Sequence, residues 1–173
     1  MATYFSDDSE LPIPIPEEEV ATIVDAVLAE EGVERECEVS VSIVDESEMA
    51  ALNAEWRGID APTDVLSFEC DSPFDDALPE GMPVELGDIV LAPEVIAAQA
   101  PEFGNTPAEE FRLMLVHGML HLLGYDHVDE EGAAEMEASE LAVLQGLARD
   151  RGEDPAAVRI GPTTRHADEE EGL

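Results

Sequence analysis

Three of the four histidines fall within eleven residues, in the run His117-Gly-Met-Leu-His121-Leu-Leu-Gly-Tyr-Asp-His127. Four positions apart on a helix, His117 and His121 project from one face, a turn apart. Two imidazole nitrogens so placed can reach a single ion at about 2.0–2.1 Å. Gly124 permits a sharp turn through the left-handed region, and that turn can bring His127 back as a third ligand. One histidine on an apolar helix is ordinarily a core residue with a hydrogen-bond partner. Two on the same buried face need partners at a cost of roughly 1–3 kcal/mol each if left without, and one shared ion satisfies both. All-nitrogen ligation points to one Zn2+ ion rather than magnesium or calcium, with nickel, cobalt and copper also compatible. Three protein ligands leave a coordination position open. An ion held that way acidifies water towards pH 7 and polarises a phosphoryl oxygen.

The spacing H-x-x-x-H-x-x-G-x-x-H is that of the metzincin proteases, which carry glutamate directly after the first histidine as general base. Here that position is Gly118. Without the proton acceptor, peptide hydrolysis is weakened as a reading.

The elements that must position these residues follow from periodicity and stop signals. A short edge strand is expected near Thr3–Ser6, then a segment broken by Pro12, Pro14 and Pro16. Val20, Ile23, Val24, Val27 and Leu28 recur at helical spacing between Glu17 and Glu31, with Gly32 as the stop. Cys37 to Val44 alternates, placing Val39, Val41 and Ile43 on one buried face. Asp45 and Glu48 read as a capping box opening a helix whose inward residues are Met49, Leu52 and Trp56. Strands are expected at Val65–Phe68 and Gly87–Leu91, separated by an exposed loop over 70–85. Pro93 starts a short helix to Ala100. Thr106-Pro107-Ala108-Glu109 is a second capping box, opening the histidine helix that ends at Gly124. Phe111–Leu123 is apolar nearly all round apart from Arg112, as a buried helix should be. A last helix over 129–148 turns Met136, Leu141, Leu144 and Leu147 inward. The expectation is an α+β fold: one domain over residues 1–160, with a small mixed β-sheet, several helices and a zincin-like central helix bearing the histidines. The polar, acidic residues 161–173 read as a disordered tail, and His166 within it as inert.

Composition narrows the setting. The chain has 173 residues and is 45% hydrophobic, enough to build a core. No apolar run reaches the roughly 18 residues of a membrane span, and MATYFSDDSELPIPIPEEE lacks the basic start and apolar stretch of a signal peptide. The expected location is the cytoplasm, with no membrane partner. Cys37 and Cys70 show no CxxC spacing and read as two free thiols; three histidines suffice without Cys70 as a ligand. Forty-three acidic residues stand against seven arginines and no lysine, a net charge of −36. Spread over the whole chain rather than blocked in one tail, this reads as adaptation to concentrated salt, where self-repulsion is screened.

Three blocks, LNAEWRGIDAPTDVLSF, LGDIVLAPE and HGMLHLLGYDH, occur in an order that resembles the YbeY family of bacterial ribosomal RNA maturation factors. The similarity extends over roughly residues 39 to 147. It implies an α+β domain, a zinc held by His117, His121 and His127, and single-strand-specific endoribonuclease activity. It further implies a role in 16S ribosomal RNA 3′-end processing and ribosome quality control, with ribosomal RNA and the small ribosomal subunit as partners. By position Arg57 matches the family's functional arginine, and the resemblance implies that His117 is essential for activity as well as a ligand. Trp56 stands where tyrosine is common; the acidic loop and the missing lysine are not characteristic.

Arg57 also makes chemical sense, since a guanidinium can grip a phosphate in two places and stabilise charge building in the transition state. From position alone it could equally be a surface or ion-paired arginine, and Arg112 reads more readily as ion-paired. Asp126 could act as base or orient an imidazole, the second being the better reading; Asp64 and Asp88 read as turn caps. RNA binding normally relies on cations that release counterions. With so few, binding must rest on arginine contacts, the metal and stacking of bases on aromatics. Two rivals stand beside the ribonuclease: a metallohydrolase of a peptide or small phosphoester, and a non-catalytic ribosome assembly factor with a structural metal.

Overall fold

The computed structural model describes residues 11–126 and 129–161 and the strand at residues 2–6. Its sheet has four strands, β1 (Ala2–Ser6), β2 (Cys37–Ile43), β3 (Val65–Glu69) and β4 (Val84–Leu91). They lie in the order β1-β2-β4-β3, with β1 and β4 parallel to β2 and β3 antiparallel to β4. The sheet is mixed, as the sequence led us to expect. The expected alternation in β2 holds: Cys37, Val39, Val41 and Ile43 are buried and the residues between them half-buried.

Strand β4 begins at Val84, three residues before the expected start. Its pairing with β2 slips one register between Glu38 and Val39, so that Glu38 faces Glu85 and Val39 faces Gly87. That bulge breaks the period-two pattern which marks a strand in sequence. Gly87 has φ +132°, and a Cβ there would collide with the Phe68 carbonyl of β3. Only glycine lets β3 pass this close. The loop before β4 is pinned from outside, because the Arg35 guanidinium donates to the Pro79 carbonyl at 2.7 Å and the Asp75 carbonyl at 3.4 Å.

Five helices pack around the sheet: α1 (Glu17–Glu30), α2 (Glu46–Arg57), α3 (Pro93–Gln99), α4 (Pro107–Leu122) and α5 (Glu130–Asp150). The main core gathers Ile23, Val27, Val41, Ile89, Phe111, Met114 and Leu144 from α1, β2, β4, α4 and α5. A smaller cluster, Val44, Met49, Leu66, Val90 and Ala92, lies under α2. Adjacent residues of one strand thus enter different clusters, Ile89 one and Val90 the other, so α2 covers one face of the sheet and α4 the opposite face.

Helix α4 is the buried one. Every residue from Glu110 to Leu122 except Arg112 is buried, and Arg112 pairs with Glu19 of α1 at 2.8 Å. Its start is fixed by the expected capping box: Thr106 Oγ1 accepts from the Glu109 amide, and the Glu109 carboxylate accepts from the Thr106 amide. Next to that start lies a buried polar cluster. The Gln99 amide donates to Asp64 at 2.9 Å and to Glu110 at 2.8 Å, and Asn105 donates to Glu110 at 2.9 Å. Asp64 also caps the start of β3 by accepting from the Val65 amide at 2.7 Å. Asp88 lies within β4 rather than at a turn.

Two inward tracks differ from expectation. On α2 the buried residues are Met49, Asn53 and Arg57, while Trp56 is exposed. On α5 they include Met136, Glu140, Val143, Leu144 and Leu147, with Leu141 only half-buried. Both cysteines are free, Cys37 buried and Cys70 exposed. The acidic tail and His166 lie outside the described residues.

Candidate metal centre

His117 and His121 share one face of α4, near its C-terminal end, as their spacing requires. His117 is fully buried and His121 nearly so, at 8%. Each ring is held through Nδ1. The Glu140 carboxylate of α5 lies 3.1 Å from His117 Nδ1, and the Tyr125 carbonyl lies 3.0 Å from His121 Nδ1. Carboxylate and carbonyl oxygens only accept, so both Nδ1 atoms carry the proton. In a neutral imidazole this leaves the lone pair on Nε2.

Those two Nε2 atoms face each other at 3.1 Å, with the rings nearly perpendicular. Two lone pairs that close repel unless a proton is shared between the rings or a metal ion lies beside them. Two ligands on a tetrahedral ion at 2.0–2.1 Å stand about 3.3–3.4 Å apart, so the spacing suits a shared metal. The donor set therefore fits zinc on its chemistry. Among the described residues, no three His, Cys, Asp or Glu side chains gather as a metal site; His127, the expected third ligand, lies outside them.

The turn after α4 is built to return the chain. Gly124 has φ +101°, and the Gly124 and Tyr125 amides donate back to the His121 and Leu120 carbonyls at 3.0 Å. Tyr125 is held by Ser139 of α5, whose hydroxyl donates to the phenol oxygen at 3.1 Å. Burial, with a hydrogen bond to Glu31, pushes the Tyr125 phenol above its usual range and keeps it neutral. The Nδ1 atoms of His117 and His121 are held by Glu140 and the Tyr125 carbonyl, and the third imidazole that Asp126 could orient, His127, lies outside the described residues. Sequence reasoning missed Glu140. Its signal was an acid at the inward spacing Met136, Glu140, Leu144, one of the 43 in the chain.

Gly118, where the protease pattern has its glutamate, does not face this site. A Cβ there would stand 3.1 Å from Ile89 Cγ2, 3.2 Å from Ser67 Oγ and 3.4 Å from Val65 Cγ2. The Ser67 hydroxyl donates to the Gly118 carbonyl at 3.3 Å. The position is the seam between α4 and the sheet.

Arg57 is placed by a different element, the last turn of α2, and makes no hydrogen bond to His117 or His121. It is not a surface arginine, and no ion pair holds it among the described residues. It is 8% exposed, and its Nε and Nη1 atoms are buried without a partner among the described residues. Buried donors left so are costly, and a guanidinium carries its charge regardless. The turn that follows is pinned by Asn53, which donates to the Ala61 carbonyl at 2.8 Å. Cys70 lines a separate small cleft with Glu38, Ser40, Gly87 and Asp88.

Residues 5–148 match the family described as Endoribonuclease YbeY. A protein of that name from Moorella thermoacetica is 42% identical over 148 residues, spanning 82% of this chain and 94% of that protein. Those of Paramagnetospirillum magneticum and Halorhodospira halophila are 48% and 49% identical, over 65% and 64% of this chain and 69% and 70% of theirs. A solution structure of a Thermotoga maritima protein shares the fold, with a TM-score of 0.57 at 24% identity over 87% of this chain and 91% of that one. The chain belongs to the endoribonuclease YbeY family.

Proposed function

We propose that the chain is a zinc-dependent endoribonuclease that cuts single-stranded RNA during ribosomal RNA maturation, with His117, His121 and His127 holding one ion. The observation that carries the metal reading is the pair of Nε2 atoms facing each other at 3.1 Å while both Nδ1 atoms are committed elsewhere. Family membership supports the reaction class. On this reading α4 is a zincin-like helix and residues 1–160 form the hydrolase domain. The 3′ end of 16S ribosomal RNA is the expected target, within ribosome maturation and quality control, and the small ribosomal subunit is the expected partner.

A zinc ion held by three imidazoles supplies acidified water and a Lewis acid for a phosphoryl oxygen. The chain's own residues do the rest. Glu140, by accepting from Nδ1, holds His117 in the tautomer that presents Nε2. On this reading Arg57, whose Nε–H and Nη1–H lack an acceptor among the described residues, would turn its guanidinium, covered from solvent in this structure, to the oxygens of a phosphodiester. Held in a water-poor setting, these donors stabilise charge that grows in the transition state. No helix among the described residues is long and apolar enough to cross a membrane.

The test is cleavage of a single-stranded RNA in molar KCl by protein of known metal content. His117→Ala and Arg57→Ala proteins, purified identically, control for contaminating nucleases. Wild-type cleavage with loss in both variants is expected. Equal cutting by all three, or none by any, would remove the ribonuclease reading and favour a ribosome assembly factor with a structural metal.

A further inference from the structure

A fold ordinarily covers most of a tryptophan. Trp56 is the single tryptophan of the chain, yet it is 57% exposed. It sits in the last turn of α2, beside the helix's buried track of Met49, Asn53 and Arg57. The ring is nevertheless held. It meets Phe68 of β3 edge to face, with centroids 5.6 Å apart and planes at 63°. Phe68 in turn packs on the cluster of Leu66, Val90 and Met49. The indole is therefore fixed on one side and open to solvent over the rest, and packing alone gives no reason for it.

Its chain neighbour supplies the second half of the observation. Arg57 is more than nine-tenths buried and has two N–H groups without a partner among the described residues. A braced aromatic plate and a guanidinium with unsatisfied donors, consecutive at the end of one helix, are the two side-chain types that hold a nucleotide, the first by its base and the second by its phosphate. The net charge of −36 removes the usual means of holding a polyanion. Stacking is unaffected by charge of either sign and survives screening by salt. A duplex keeps its base faces covered, so a plate of this kind takes only unpaired bases. We propose that Trp56, braced by Phe68, is the base-stacking platform that selects unpaired RNA beside Arg57. This rests on the ribonuclease reading and deepens it.

The single tryptophan makes the test direct. Full-length, metal-loaded protein in molar KCl is mixed in a stopped flow with a single-stranded oligoribonucleotide, and indole fluorescence is followed before turnover. An abasic oligonucleotide of the same length and an RNA duplex serve as comparison ligands. Quenching is expected with the single strand and not with the other two. Trp56→Ala, checked for fold by circular dichroism, should weaken binding of a labelled RNA by roughly 5- to 150-fold, and Trp56→Phe should restore most of it. If wild type cuts RNA but its fluorescence is unmoved and Trp56→Ala binds as wild type does, the stacking platform is overturned and the ribonuclease stands. If wild type neither binds nor cuts RNA, both fall together.

Discussion

Glu140 carries the most specific prediction about the metal centre. Its carboxylate is 2% exposed and lies 3.1 Å from Nδ1 of a fully buried His117. Glu140→Gln keeps an acceptor oxygen in place and removes the charge, so the imidazole keeps its tautomer but becomes a less basic ligand. Loss of such an outer partner ordinarily lowers metal affinity by about 10- to 100-fold, or about 1.4–2.7 kcal/mol. Glu140→Leu removes the acceptor as well. That leaves a buried N–H with nothing to donate to, at a further cost of about 1–3 kcal/mol, and frees the ring to rotate. Competition between the protein and a chromophoric chelator for zinc, in molar KCl, reads both effects. The expected order of zinc affinity is wild type, then Glu140→Gln, then Glu140→Leu. Nitrogen-15 shifts of His117 give a second readout, with the wild-type ring protonated at Nδ1 and Glu140→Leu showing a mixture of tautomers. Wild-type zinc affinity in a folded Glu140→Leu protein would refute the reasoning.

Two further predictions concern the helix seam and the charge. Gly118→Ala should cost about 0–2 kcal/mol, because overpacking against Ile89 and Ser67 (about 1–3 kcal/mol) outweighs the roughly 1 kcal/mol gained in helix propensity. Gly118→Glu adds a buried carboxylate without a partner and should not fold; a denaturant midpoint equal to wild type would contradict the packing described here. RNA cleavage should be weak below about 0.1 M salt and rise as KCl is added, since screening relieves repulsion between RNA and a chain of net charge −36. Cleavage that falls steadily from low salt upward would count against that account.

The histidine helix was legible because several independent signals agreed: an apolar run, a capping box at Thr106 and Glu109, and a glycine at the turn. The inner face of α2 was not. Apolar periodicity selects Met49, Leu52 and Trp56, but the buried track is Met49, Asn53 and Arg57, rotated by part of a turn. Sequence patterns weigh transfer to an apolar interior, whereas Asn53 is buried to pin the turn after Arg57 through Ala61. Glu140 escaped for a related reason. Its burial is tied to a hydrogen bond with a residue 23 positions earlier, and no local pattern encodes that pairing. The early start of β4 was hidden by the bulge at Gly87, which shifts alternation by one residue.

The two faces of α4 together decide which chemistry the site can serve. One face turns His117 and His121 towards the α5 carboxylate and the Tyr125 turn. The face one residue on, at Gly118, lies against Val65, Ser67 and Ile89 so closely that even a methyl group crowds the sheet. A glutamate after the first histidine, the proton acceptor of the proteases with this ligand spacing, has no room here. Its absence fits the packing, and the peptide-hydrolysis route that relies on it is weakened. Phosphoryl chemistry leans more on positioned charge than on an adjacent base. On the proposed reading Arg57, buried in a chain otherwise dominated by acids and with two donors unmatched among the described residues, would supply that charge. The features that rule against the protease and those that favour the ribonuclease thus come from separate parts of the fold, and neither depends on the other.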